Sequence, residues 1–305
     1  MPNIISTSQF KKNEVERILF QALQMEKECA SGNINQPLKN KIVVCVFFEP
    51  STRTRLSFET AALKLGASVI SVENAKENSS AYKGESIEDT TRMLCSYADV
   101  IIMRHFQEGV AEKAATVATK PIINAGDGSN QHPSQAFLDL YTIKKEHNRL
   151  DHLNITFVGD LLHSRTLHSL MPFLMMYPGN TFCFISPREL SLPKEYVDEL
   201  QKKGVSFKEM QNLEKGLSDT DVLYMTRVQK ERFQNLGDYE KVKDLFLLKK
   251  EHLKDLKKEA IIMHPLPRVN EIDPEIDKDP RAAYFRQAQN GLYIRMALLS
   301  YALGL

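Results

Sequence analysis

The sequence predicts an α/β protein made of two doubly wound parallel-sheet domains. Short β-rich runs alternate with longer helical patterns along the whole chain, the order of serial α/β units. The β-rich runs are mostly apolar rather than alternating, as expected of parallel strands covered on both faces. The 305 residues also suffice for two domains.

In the first half, strands are expected at Ile42–Phe48, Ser68–Val72, Val100–Met103 and Pro121–Asn124. The second half offers Asn154–Val158, Thr181–Ile185, Val205–Lys208, Asp221–Met225 and Ala260–Met263. Helical patterns lie between them, among them Ile87–Ala98, Pro133–Glu146 and Lys194–Lys203. The domain boundary is placed inside Pro133–Glu146. The final segment, Gln287–Leu303, carries Leu292, Ile294, Met296, Leu298, Leu299 and Leu303 and reads as a buried helix. Glu73–Glu85 is polar without an apolar period and reads as a mobile loop. Gln229–Tyr239 reads as a second polar loop.

Net charge is +1, so no extended nucleic-acid or anionic-membrane surface is expected, and any anion site must be local. The cysteines Cys29, Cys45, Cys95 and Cys183 are far apart, without C-x-x-C spacing, which removes support for a cysteine zinc site. They fit a reducing, cytoplasmic setting. The N-terminus lacks a signal-peptide pattern, and no apolar run approaches membrane-spanning length.

The most informative stretch is Ser51-Thr52-Arg53-Thr54-Arg55, which joins an apolar strand to a helix. A helix N-terminus presents unpaired N–H groups and the positive end of the dipole. Guanidinium forks and hydroxyls beside it suit a phosphate-sized anion. A plain N-cap by Ser51 would explain one hydroxyl but not the whole cluster. Other strand ends also deliver polar groups. Arg104-His105 follows the third strand. Asp127–Gln135 follows the fourth and leads into a helix, placing His132 and Gln135 three residues apart. Its competing reading is a Gly-rich turn whose side chains face solvent. In the second half, Gly159-Asp160 with Arg165, then Thr226-Arg227-Val228-Gln229, then His264-Pro265-Leu266-Pro267-Arg268 occupy matching places. Ligands bind beyond the carboxyl ends of strands in open parallel sheets. Arginines at strand ends in both halves therefore point to a cleft between two domains, with anion sites on both walls. No metal shell, G-x-S-x-G or P-loop stands out. The inventory suits a small anionic electrophile activated by electrostatics and orientation.

These motifs resemble the aspartate/ornithine carbamoyltransferase family. The resemblance rests on Phe48–Arg55, Met103-Arg104-His105, Asp127–Gln135 and His264–Arg268, in order and at family spacing. It is closest to the aspartate-using members. Ornithine enzymes usually show His-Cys-Leu-Pro where this chain has His264-Pro265-Leu266-Pro267, and carry a Ser-Met-Gly loop absent here. The tract Met225–Arg232 looks like the aspartate-specific loop.

The resemblance implies that Ser51, Thr52, Arg53 and Thr54 hold the phosphate of carbamoyl phosphate, with Arg104. Thr54, Arg104 and His132 polarise the carbonyl, His132 as a neutral donor rather than a base. Gln135 and the carbonyls of Pro265 and Leu266 orient the carbamoyl nitrogen. Arg165, Arg227 and Gln229 bind the carboxylates of L-aspartate, and Lys83 and Ser79 enter from the neighbouring subunit of a homotrimer. Ser79 rather than Ser80 follows from counting back from Lys83. Residues 1–134 with 288–305 form the carbamoyl-phosphate domain and 135–287 the aspartate domain. No metal or organic cofactor is implied. A dodecamer with zinc-bearing regulatory chains is compatible with the resemblance. A cationic acceptor such as ornithine is the alternative within the family, and a non-catalytic binder of phosphorylated metabolites the alternative outside catalysis.

Overall fold

A computed structural model describes residues 1–230, 233 and 235–305 of the chain. It divides into two compact units, Met1–Tyr141 with Gln289–Leu305, and Thr142–Ala288.

The first unit runs through α1 (Lys12–Ser31), β1 (Ile42–Phe47), α2 (Thr52–Lys64), β2 (Ser68–Glu73), α3 (Ala75–Asn78), α4 (Ile87–Tyr97), β3 (Val100–His105), α5 (Val110–Val117) and β4 (Ile122–Asp127). Helix α6 (Pro133–His147) begins in it. Its sheet is wholly parallel, in the order β2-β1-β3-β4. The apolar runs of β1 and β3 lie in the interior because helices cover both faces. On one face Val44, Val46, Ile101 and Met103 pack with Cys95 of α4 and with Val110 and Ala114 of α5. Phe47 and Phe58 are fully buried, and such a side chain contributes about 1.5–3 kcal/mol. β2 pairs only with β1 and exposes most of its residues, an edge strand. The outer edge of β4 is covered instead. Ile4 donates to the Ile122 carbonyl at 2.8 Å and accepts from the Asn124 N–H at 2.8 Å.

The segment Glu73–Glu85, read from sequence as a loop, differs from that expectation. β2 runs through Glu73, α3 makes one turn, and residues 80–83 form a 3-10 turn. Local bonds replace the missing apolar period. Ser79 Oγ accepts from the Ala81 N–H at 3.2 Å, and Asn78 Nδ2 donates to the Glu73 carbonyl at 3.1 Å. Asn74, at φ 52°, takes the left-handed conformation that Asn tolerates.

The second unit contains β5 (Asn154–Val158), α7 (Arg165–Leu174), β6 (Thr181–Ile185), α8 (Lys194–Lys202), β7 (Phe207–Met210), β8 (Val222–Met225), α9 (Leu236–Val242) and β9 (Ile261–Met263). Helix α10 (Tyr284–Leu303) starts here and ends in the first unit. The sheet is again parallel, in the order β7-β6-β5-β8-β9. Val158, Ile185, Leu223, Met225, Ile262 and Tyr284 share one core. β7 begins two residues later than the sequence suggested. Val205 is used to close α8, donating to the Leu200 carbonyl at 3.0 Å after Gly204 at φ 64°. The expected loop Gln229–Tyr239 overlaps residues 231, 232 and 234, which lie outside the described residues. α9 starts within its span, at Leu236. Among the described residues, no helix is long and apolar enough to cross a membrane.

Strand order fixes where ligands are expected. In the first sheet the chain steps from β1 to one side for β2 and to the other for β3. In the second it leaves β5 for β6 and β7, then returns beside β5 as β8. Each sheet thus has a topological switch point, between β1 and β3 and between β5 and β8.

Candidate active site

At the first switch point, Phe48-Glu49-Pro50 carries the chain from β1 to Ser51, the N-cap residue of α2. Ser51 is extended (φ −160°, ψ 91°), and its hydroxyl makes no capping bond to the first turn. The simple cap reading of Ser51 therefore does not hold. Thr52 and Arg53 are exposed and Thr54 is buried, all in the first turn. The two arginines have separate fates. Arg55 pairs with Glu59 at 3.0 Å and Glu73 at 2.9 Å. Arg53 has no ion-pair partner among the described residues.

Arg104 sits beside Phe47 in the β1–β3 register and is buried. Its Nη1 donates to the Ala125 carbonyl at 3.2 Å, and Glu49 Oε2 lies 3.3 Å from its Nε. A carbonyl and a carboxylate thus aim the guanidinium from the strand ends. Next to it, burial lowers the pKa of His105, whose Nδ1 accepts from the Gln107 N–H at 3.0 Å.

Beyond β4, buried Asp127 organises the loop. Its Oδ1 accepts from Asn124 Nδ2 at 2.9 Å and the Gln131 N–H at 3.0 Å, while Oδ2 accepts from the Gly109 N–H at 2.9 Å. Gly128 is required at φ 55°, since a Cβ there would lie 2.6 Å from Glu108 Cγ. His132 and Gln135 are 4% and 8% exposed, which disposes of the solvent-facing alternative. Gln135 Nε2 donates to Asp139 Oδ1 at 2.9 Å. That bond fixes the amide orientation and leaves Oε1 as the acceptor end. Ser79 is half-buried and occupied within its own turn, donating to the Ala75 carbonyl at 2.5 Å, whereas Ser80 and Lys83 are exposed.

At the second switch point, β5 and β8 come so close beyond their ends that only glycine fits. Gly159 has φ 114°, and a Cβ there would lie 2.3 Å from the Thr226 carbonyl oxygen. Asp160, fully buried, ties the two loops. Its Oδ1 accepts from the His163 N–H at 2.9 Å, and the Gln229 N–H approaches Oδ2 at 3.5 Å. Gln229 Nε2 donates to the His163 carbonyl at 2.9 Å. Arg165 opens α7, and Arg227 lies two residues past β8; both are half-buried. One buried carboxylate thereby sets the loops that carry both arginines.

Beyond β9 the chain turns through Pro265 and Leu266, with Leu266 at φ 55°. The Leu266 N–H donates to His264 Nδ1 at 2.8 Å, and His264 Nε2 lies 2.7 Å from Glu271 Oε1. Burial lowers the pKa of His264 against the opposing pull of Glu271.

Asp139, His163 and Glu271 escaped the sequence reading. Asp139 was accessible as the i+4 neighbour of Gln135. Glu271 gave no signal, because six irregular residues separate it from His264.

Two family models match the chain. The aspartate/ornithine carbamoyltransferase carbamoyl-phosphate-binding domain matches residues 2–145, and the aspartate/ornithine-binding domain of the same family matches residues 151–302. The aspartate carbamoyltransferase catalytic subunit of Phocaeicola vulgatus is 50% identical over 291 residues, 95% of this chain and 92% of that protein. The catalytic subunit of Methanocaldococcus jannaschii is 48% identical over 299 residues, 98% of this chain and 97% of its own length. A crystal form of that subunit superposes with a TM-score of 0.92 at 47% identity, covering 100% of this chain and 98% of that one. The Trypanosoma cruzi aspartate transcarbamoylase in complex with carbamoyl phosphate and aspartate gives 0.93 at 36% identity, covering 98% and 95%. With both domains matched in order and close relatives along nearly its whole length, the chain belongs to the aspartate/ornithine carbamoyltransferase family.

Proposed function

We propose that this chain transfers the carbamoyl group of carbamoyl phosphate to the amino group of L-aspartate, giving N-carbamoyl-L-aspartate and phosphate, a step of de novo pyrimidine synthesis in the cytoplasm. The observation that carries this reading is the content of the two switch points. One gathers hydroxyls, a helix N-terminus, Arg53 and Arg104. The other gathers Arg165 and Arg227, set by one buried carboxylate. Phosphate chemistry suits the first and a dicarboxylate the second.

In this reading Ser51, Thr52, Arg53, Thr54 and Arg104 bind the phosphate. Thr54, Arg104 and neutral His132 donate to the carbamoyl carbonyl oxygen. Gln135 Oε1, with the carbonyls of Pro265 and Leu266, accepts from the carbamoyl NH₂ group. Arg165, Arg227 and Gln229 hold aspartate, joined by Lys83 and Ser79 of the neighbouring subunit in a homotrimer. Residues 1–134 with 288–305 serve carbamoyl phosphate and 135–287 serve aspartate. The neutral amine attacks the carbamoyl carbon, and a C–N bond forms as charge moves to the carbonyl oxygen. The C–O bond to phosphate then breaks, and the departing phosphate takes the amine proton. Each donor aimed at the developing oxyanion is worth roughly 2.7–4 kcal/mol. Binding of zinc-bearing regulatory chains to the trimer would extend this assembly.

The test is phosphate release from carbamoyl phosphate with L-aspartate or L-ornithine, without added metal. Aspartate-dependent release with N-carbamoyl-L-aspartate as product is expected. Release with ornithine alone would overturn the acceptor assignment, and release with neither would overturn the activity.

A further inference from the structure

The turn that offers the Pro265 and Leu266 carbonyls is held by two side chains outside the proposed binding set. His264 and Glu271 are 1% and 5% exposed. The His264 N–H donates to Gln287 Oε1 at 2.9 Å, anchoring the entry to the turn. Its ring Nδ1 accepts from the Leu266 N–H at 2.8 Å, so that nitrogen carries no proton. The ring proton of the neutral imidazole therefore sits on Nε2, which faces Glu271 Oε1 at 2.7 Å, obliquely to the line of a regular hydrogen bond. Glu271 Oε2 accepts from the Val269 N–H at 3.0 Å and the Asn270 N–H at 3.1 Å. Backbone groups at Leu266, Val269 and Asn270 are thus fixed by one imidazole–carboxylate unit.

Resting on the carbamoyl phosphate reading above, we infer that Glu271, acting through His264, is a positioning residue that sets the Pro265–Leu266 carbonyl pair for the carbamoyl nitrogen.

The donor–acceptor pattern makes this specific to a carboxylate. In Glu271→Gln, an amide oxygen facing Val269 and Asn270 leaves the NH₂ group against the Nε2 proton. Flipping the amide puts NH₂ against the two backbone N–H groups. Moving the ring proton to Nδ1 sets it against the Leu266 N–H. Every arrangement places donor against donor, so the turn must shift.

The carbonyl pair reads an NH₂ group, whereas acetyl phosphate presents a methyl there. The experiment measures dissociation constants of the full-length protein and its Glu271→Gln variant for carbamoyl phosphate, acetyl phosphate and inorganic phosphate. The parent protein should prefer carbamoyl over acetyl phosphate. The variant should lose about fivefold to tenfold of that preference, as for one or two displaced hydrogen bonds, with phosphate affinity unchanged. An unchanged preference in the variant, even with all three ligands equally weakened, overturns the inference. Should the variant fail to fold, the ¹⁵N spectrum of His264 in the parent decides. A proton on Nε2 with a bare Nδ1 supports the inference, and a proton on Nδ1 overturns it. A parent protein without preference that also forms no N-carbamoyl-L-aspartate would mark failure of the functional reading itself.

Discussion

Arg55 Nη1 donates to Glu59 Oε1 at 3.0 Å one turn along α2, and its Nη2 reaches Glu73 of β2 at 2.9 Å. The second arginine of the Ser51–Arg55 cluster is thus engaged in joining helix to edge strand, which leaves Arg53 as the arginine of the cluster proposed for the anion. Arg53→Ala should weaken carbamoyl phosphate binding by about tenfold to a hundredfold, the loss of one or two charge-assisted bonds. Arg55→Ala should leave that affinity within about threefold and destabilise the fold by about 1 kcal/mol. Calorimetric titration of both variants separates the roles. Equal losses of affinity would return Arg55 to the site.

Asp139 holds the Gln135 amide nitrogen and so decides which end of that side chain accepts. Asp139→Asn frees the amide to rotate. Turnover should drop by about tenfold while inorganic phosphate binds as before, since the contact proposed for Gln135 is to the carbamoyl nitrogen. Steady-state kinetics with phosphate inhibition measures both, and undiminished turnover would refute the orienting role.

Gly159→Ala would thrust a methyl toward the Thr226 carbonyl while forcing alanine to φ 114°. The expected loss is about 2–4 kcal/mol, from backbone strain and overpacking together. Urea unfolding reads it directly, and a loss below about 1 kcal/mol would mean that the two loops part easily.

Acidification should weaken the fold through His264. Burial lowers its pKa from an ordinary 6.5, while Glu271 pulls upward and Arg227 and Arg268 downward. Below about pH 6.5 the unfolded chain takes up a proton that the folded chain refuses, so stability falls as pH falls. Burial pushes the Glu271 carboxyl up, but His264 and the backbone N–H groups hold it below 4.5, adding a second loss at lower pH. The urea midpoint should decline from pH 7.5 to 5.5, with a shallower slope in His264→Gln. His105 and His147, also lowered by burial, contribute in both proteins. Parallel slopes would exclude His264 as the source.

Lys83 is exposed at the end of its 3-10 turn. If it acts in a neighbour's site, mixing Lys83→Ala chains with Arg53→Ala chains, each impaired alone, should raise activity above that of either variant through hybrid trimers. Mixed trimers confirmed by native mass spectrometry yet no more active than either variant would rule out the shared site.

Much of the fold was legible because parallel strands covered on both faces are continuous apolar runs. β5 and β6 were bounded to the residue for that reason. β4, expected to end at Asn124, continues through Ala125, Gly126 and Asp127, where the apolar run gives way to a carboxylate that bonds within the loop. Strand order was not legible, since one parallel strand carries the same pattern as the next. The strand-end residues stood out because arginine and histidine directly after an apolar run are conspicuous. Their supports did not. Arg55–Glu59 follows helical spacing, but Glu73 meets Arg55 only through the β1–β2 pairing, and Glu271 meets His264 only through the left-handed turn at Leu266.

The interrupted course of the first unit has a consequence for biosynthesis. Ile294, Met296, Leu298 and Leu299 of α10 are fully buried, yet they enter the chain only after all of Thr142–Ala288. The unit spanning Thr142–Ala288 is contiguous and draws its core, from Val158 to Tyr284, from its own span. The first, although translated earlier, must wait with part of its apolar surface bare until the residues of α10 beyond Ala288 have emerged. Chains truncated at Ala288 and released from the ribosome should therefore be protease-resistant in the later-made unit and still open in the earlier one.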